Sequence, residues 1–314
     1  MRALHDTGPA LTAMRPVQGL SRGGLLWGFL GVLAFSFTLP FTRIAVEQID
    51  PLFIGAGRAV VAAALAALVL AATRQRLPRG AQWLRLCVVV IGVVVGFPLL
   101  TSFALQTVPA AHGAVVIGLL PAATAIAAVI RAKERPSVTF WVASGAGVAS
   151  VIAFIALAGG GLEGLHPSDL LLLGAVVLAA VGYAEGALLS RELGSWQTIC
   201  WALVVTLPAM IPLTAVSVTT HGWPQADASH WLAFGYLALV SMFLGFFAWY
   251  RGLAIGPIAQ VSQIQLVQPV LTIVWSALIV GERLDLLVWL GALVVVACAA
   301  AAVRARVASS TRAG

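Results

Sequence analysis

Charge is what this chain most lacks. Of its 314 residues only 9% are Asp, Glu, Lys or Arg, where a soluble domain carries roughly 25%. Water cannot solvate so apolar a surface, which excludes an ordinary soluble domain and makes lipid the solvent for most of the chain. Cysteine is scarce as well. Cys87, Cys200 and Cys298 lie far apart inside apolar runs, without CxxC spacing, so packing accounts for them better than a disulfide framework or a metal site. The signatures of catalysis are missing too: there is no HExxH pair, no GxSxG elbow and no P-loop. The run Gly159 to Gly161 has no strand or lysine beside it and reads as a flexible turn. No cofactor is expected, and transport driven by nucleotide hydrolysis has no site. The stretch Met1 to Arg22 lacks the apolar run of a signal peptide and reads as a cytoplasmic tail. The net charge of +7 comes with no nucleic-acid-binding motif, so no nucleic-acid partner is expected.

What is present is apolar length. Hydrophobic residues make up 61% of the chain, with a mean hydropathy of +1.02. Runs of about 20 residues, enough to cross a bilayer, fall near 24–44, 52–72, 84–105, 110–130, 138–158, 170–190, 197–217, 231–250, 257–280 and 285–303. The gaps are short, so neighbouring spans pack antiparallel. With the N-terminus in the cytoplasm, 15 of the 18 basic residues fall on the inner side. Only Arg43 and Arg283 fall outside, and Arg58 lies within a span. That asymmetry fits the positive-inside rule and puts both termini in the cytoplasm.

The chain also resembles itself. Shifted by 148 residues, Trp83 meets Trp231, Trp141 meets Trp289, Pro121 meets Pro269, Thr124 meets Thr272, and the pair Glu134 and Arg135 meets Glu282 and Arg283. Five spans per copy is an odd number, so the second copy enters the membrane from the opposite side. The expected fold is therefore an all-α integral membrane protein of ten transmembrane helices, arranged as two inverted five-helix repeats. The expected divisions are a cytoplasmic tail 1–23, a first repeat 24–160, a second repeat 161–303 and a cytoplasmic tail 304–314.

Several of these features are shared with a known group. The segment Ser36 to Glu47 (SFTLPFTRIAVE), Pro51 with Arg58 after it, Pro121 followed by Glu134 and Arg135, and Pro269 followed by Gly281, Glu282 and Arg283 together resemble the drug/metabolite transporter superfamily in its ten-helix EamA-type branch. The resemblance runs over residues 24–303. It implies a bacterial inner-membrane exporter of amino acids or other small metabolites.

Inverted-repeat carriers bind substrate near the membrane midplane, beside interrupted helices. Pro40, with Thr38 beside it, interrupts span 1, Pro121 span 4 and Pro269 span 9; Pro98 and Gly245 mark spans 3 and 8. A packing kink is the plainer reading of each proline, and the paired occurrence favours a cavity. In span 9, Ser262, Gln265, Gln268, Thr272 and Ser276 form one polar stripe, at about 100° per residue. Interhelical hydrogen bonding is the alternative to a cavity wall. Gln260 and Gln263 fall off that stripe and suit an adjacent wall or gate. Glu185 is the one carboxylate well inside a span, able to hold an ammonium group, to carry a proton or simply to pair with Arg191 or Arg43. Tyr183 lies beside it. His112 aligns with Gln260 under the 148-residue shift. Arg58 reads as a structural residue, snorkelling outward or holding carbonyls freed by a break. Trp249 is a candidate cavity aromatic. The expected function is secondary transport of small polar metabolites, amino acids foremost, out of the cytoplasm. A membrane scaffold or sensor is the alternative, and a membrane enzyme a weaker one. The expected partners are a small-molecule substrate and the bilayer; oligomeric state is not legible.

Overall fold

The computed structural model describes residues 22–132, 138–158, 166–255, 261–283 and 285–311. Among them there is no strand, as expected where every backbone N–H and C=O must be satisfied within its own segment.

The helices follow the apolar runs. Helix α1 comprises Arg22–Ser36 and, past a break at Phe37, Thr38–Ala45. Helix α2 is Pro51–Ala72. Helix α3 runs through Ala81–Val89, a π-helical segment Val90–Gly96 and Phe97–Ala104. Helix α4 is Ala110–Ile117 and Leu120–Ala132, and α5 is Val138–Ala158. Helix α6 is Pro167–Leu193 and α7 is Ser195–His221. Helix α8 passes through Ala228–Tyr236, a π-helical Leu237–Leu244 and Gly245–Ile255. Helix α9 tightens to a 3₁₀ turn at Gln263–Val267, continues as Gln268–Trp275 and loosens to a π turn at Ser276–Val280. Helix α10 is Leu286–Thr311. Among the described residues, seven helices are long and apolar enough to cross a membrane, and 264–280 and 286–298 form shorter apolar helices.

Local chemistry explains the ends. Asp50 caps α2 by accepting the Phe53 N–H at 3.0 Å, with Pro51 in the first turn where its missing N–H costs nothing. Helix α6 starts with Pro167 and a reciprocal cap, in which His166 N–H donates to Asp169 Oδ2 at 3.1 Å. One residue, Gly194, separates α6 from α7. Its φ of +100° is open to glycine and strained for any other residue.

Small residues set the packing distances. Ala56, Ala59, Ala62, Ala63 and Ala66 on α2 are fully buried, and α2 lies against α7. A Cβ on Gly92 of α3 would sit 2.6 Å from the Leu178 carbonyl and 2.7 Å from Gly182 Cα, both on α6. Such backbone contact supplies dispersion where lipid offers no hydrophobic drive between helices. The outward faces carry exposed Leu26, Leu68, Leu84, Leu170, Leu232 and Leu278, as a lipid-facing surface requires.

Candidate functional site

The break in α1 follows from one residue. Pro40 has no N–H, so the carbonyl of Ser36, four residues earlier, loses its helical donor. Phe41 N–H still bonds the Phe37 carbonyl at 3.0 Å, so the helix resumes at once. Thr272 of α9 fills the vacancy: its Oγ1 donates to the Ser36 carbonyl at 2.8 Å. Trp275 Nε1 donates to Ser36 Oγ at 3.0 Å. Beyond the break, Thr38 Oγ1 meets Ser241 Oγ of α8 at 2.8 Å.

A small cavity of about 20 Å³, measured as room for the centres of water-sized molecules, lies beside this break. Phe35 and Thr38 of α1, Arg58 of α2, Val93, Phe97 and Pro98 of α3, Tyr183 of α6, Ser241, Met242 and Phe246 of α8, and Gln268 of α9 line it. Every lining residue except Phe97 is buried. As it stands the space has room for about one water molecule, far less than a small-molecule site needs. Thr38, Ser241, Tyr183 and Gln268 provide neutral polar groups on a largely apolar wall.

Arg58 is the exception in charge. Its residue is 1% exposed, and among the described residues its Nε has no hydrogen-bond partner and no carboxylate pairs with it. It neither snorkels outward nor holds a freed carbonyl, contrary to both structural roles expected for it. An unpaired buried cation costs several kcal/mol, so its position facing a cavity needs a reason.

The other expected residues are distributed around this centre. Trp249 is fully buried behind the wall, its ring 6.4 Å from Phe35 and 5.7 Å from Tyr183. Gln265 is 1% exposed, and neither amide atom has a partner among the described residues. Of the polar stripe, Gln268 lines the cavity, whereas Thr272 and Ser276 bond backbone carbonyls, Ser276 to Thr272 at 2.9 Å. Gln260 and the side chain of Gln263 lie outside the described residues.

Glu185 sits among cations other than Arg191 and Arg43. Arg85 of α3 donates from Nε to its Oε1, and Arg131 of α4 donates from Nε to Oε2 at 2.7 Å. Arg85 also bonds Glu192, the penultimate residue of α6. The cluster therefore ties α3 and α4 to α6 at the end of the bundle that carries the arginine-rich loops. At the opposite end, His112 Nε2 lies 2.7 Å from Asp169 Oδ1, a carboxylate that is 2% exposed. Glu282 receives the N–H groups of Ala110 and Ala111 at 2.7 and 2.9 Å, an anion at the positive end of α4. Arg43 Nη1 bonds the Leu105 carbonyl at 2.9 Å. Ser241, Asp169 and the two arginine partners of Glu185 are contributions that sequence reasoning missed. Ser241 sits at the 148-residue counterpart of Val93, an apolar cavity residue, so the repeat offered no polar signal there.

Comparison with known proteins agrees with this architecture. The pattern of the EamA-like transporter family matches residues 22–156 and 166–304. The chain is 46% identical over 281 residues to a Bacillus subtilis (strain 168) protein named "Uncharacterized transporter YdeK", covering 90% of this chain and 97% of that one. A solved crystal structure, described only as that of a protein, matches with a TM-score of 0.62 at 21% identity over 90% of this chain and 99% of the other. At that identity the likeness concerns the fold alone.

Proposed function

This chain belongs to the EamA-like transporter family, and from that membership we propose that it carries small polar metabolites, amino acids foremost, out of the cytoplasm through the cavity between its two halves. The observation that carries the reading is the small polar-lined space at the centre of the bundle, walled by α1, α2, α3, α6, α8 and α9. Substrate reaches such a space only if the helices around it move.

The proposed movement is rocking of two inverted five-helix repeats in a ten-span bundle, with both termini in the cytoplasm of a bacterial inner membrane. Three observations support it. The π segments Val90–Gly96 and Leu237–Leu244 fall at positions related by the same 148-residue shift, within one residue. Helix α1 packs on α8 as α6 packs on α3, while α2 packs on α7 and α5 on α10. Ser150 Oγ lies 3.9 Å from Cys298 Sγ, and these two residues are themselves related by the shift, as contacts on a two-fold axis are.

In this reading the ends open alternately. Glu185 with Arg85 and Arg131 closes the cytoplasmic end. The His112 pair with Asp169 and the Glu282 cap on α4 close the other. Purified protein in sealed liposomes, preloaded with unlabelled amino acids, should accumulate labelled amino acids by counterflow. Absence of counterflow across the common amino acids, nucleobases and sugars would sink the carrier reading and favour a scaffold or sensor.

A further inference from the structure

Resting on the carrier reading, we infer that Arg58 is a carboxylate-recognition residue, and that a substrate must present a single anionic carboxylate to the central cavity. The guanidinium is buried at 1% exposure, lines the cavity, and has no carboxylate partner among the described residues. No Asp or Glu lines the cavity with it. The space therefore holds one positive charge and nothing in the wall to balance it. A buried charge is retained when a partner completes it, and here the remaining place for a partner is the cavity itself.

The chemistry narrows the partner. A guanidinium presents a planar fork of N–H donors that matches a carboxylate bidentately. One guanidinium balances one carboxylate. A phosphate dianion would need further cations, and the rest of the wall offers the neutral groups Thr38, Ser241, Tyr183 and Gln268. Phe35, Val93, Phe97, Pro98, Met242 and Phe246 suit an apolar body behind the acid group. An organic cation would face Arg58 with no acid to hold it and is disfavoured. A zwitterionic amino acid and a simple organic acid share the recognised group, and a matched set of probes separates them.

The test uses full-length protein in lipid nanodiscs and three probes of one size: phenylalanine, 3-phenylpropanoate and phenylalaninamide. Thermal unfolding should shift upward with one or both carboxylates and not with the amide. A shift with phenylalanine alone marks an amino-acid site, and a shift with 3-phenylpropanoate alone marks an organic-acid site. Arg58→Gln should weaken binding of whichever acid binds by tenfold or more, and Arg58→Lys should bind it more weakly than wild type yet still prefer it to the amide. Equal stabilisation by phenylalaninamide, unchanged affinity in a monodisperse Arg58→Gln variant, or no shift with either acid would overturn the inference. If Arg58→Gln does not fold, the preference of Arg58→Lys decides. Counterflow in liposomes keeps the two readings apart. A carrier that moves only substrates without a carboxylate keeps its proposed function and loses this inference, whereas acid binding without any flux does the reverse.

Discussion

The hydroxyl of Thr272 stands in for the N–H that Pro40 lacks, donating at 2.8 Å to the Ser36 carbonyl. Helix α9 thereby completes the hydrogen bonding of α1 at its break. Thr272→Val should leave that carbonyl unsatisfied and cost ~1–3 kcal/mol, read from unfolding in mixed micelles. Pro40→Ala restores the helical donor, so the same substitution in that background should cost much less. An equal cost in both backgrounds would remove the link between the two residues.

Gln265 and Gln268 should respond differently although they are one turn apart. Gln268 faces the cavity, and Gln268→Leu should lower transport at least tenfold at unchanged folded yield. Gln265 is buried with both amide atoms unpartnered among the described residues, so Gln265→Leu removes an unmet hydrogen-bonding need and should preserve or raise thermal stability. Flux and melting temperature of the two variants, measured side by side, check this. Normal flux in Gln268→Leu would place the cavity wall elsewhere.

The helices were legible in the sequence because membrane insertion leaves a one-dimensional record. Apolar length marks the spans, and arginine marks one side. Thr38, Tyr183 and Gln268, which line the cavity, were legible as candidates because a polar group in a lipid-length run needs a protein or aqueous surrounding. Arg58 was visible, yet its lack of a partner is a three-dimensional fact. The same holds for Glu185, whose partners Arg85 and Arg131 lie 100 and 54 residues away, and for His112, whose partner Asp169 reads in the sequence as an ordinary cap residue. Hydropathy records which residues enter the membrane and carries no information about how each helix is rotated.

Gly92 lies in the π segment of α3, where a Cβ would press on backbone atoms of α6 at 2.6 and 2.7 Å. Backbone cannot swing aside as a side chain can. Gly92→Ala should force the two helices apart and reduce folded yield sharply in detergent. Gly145 of α5, where an added Cβ meets nothing within 4 Å, serves as the control, and Gly145→Ala should be neutral. Equal yields would mean that α3 and α6 adjust without strain.

Breaking the Glu185 cluster should act on gating. Glu185→Gln removes the charge that two arginines share and should loosen that end of the bundle, read as a lower melting temperature and a changed rate of exchange. Arg85→Ala breaks two ion pairs and Arg131→Ala one, and their side chains are 23% and 49% exposed. Arg85→Ala should therefore be the more damaging to stability. Unchanged melting and exchange in all three variants would remove the cluster from gating.

Reporter fusions test the orientation. Fusions after residues 78, 160 and 225 should read cytoplasmic, external and external. An external reading at 78 would overturn the proposed orientation, and a cytoplasmic reading at both 78 and 225 would overturn the odd number of spans proposed between them.

The π turns in α3 and α8 have a consequence for how this protein can vary. A π turn takes more residues per revolution than an α turn, so it sets the angular phase between the two ends of its helix. In α3 it lies between Arg85, which holds α6 through Glu185, and the cavity residues Phe97 and Pro98. Deleting one residue there and restoring α-helical winding would change that phase little, because the wide turn already absorbs a residue. Deleting one elsewhere in the helix would rotate one end against the other by about 100° and turn the cavity wall or the ion-pair cluster toward lipid. The segments 90–96 and 237–244 are thus the places in α3 and α8 where a one-residue gap does least harm, and relatives should differ in length there sooner than at neighbouring positions.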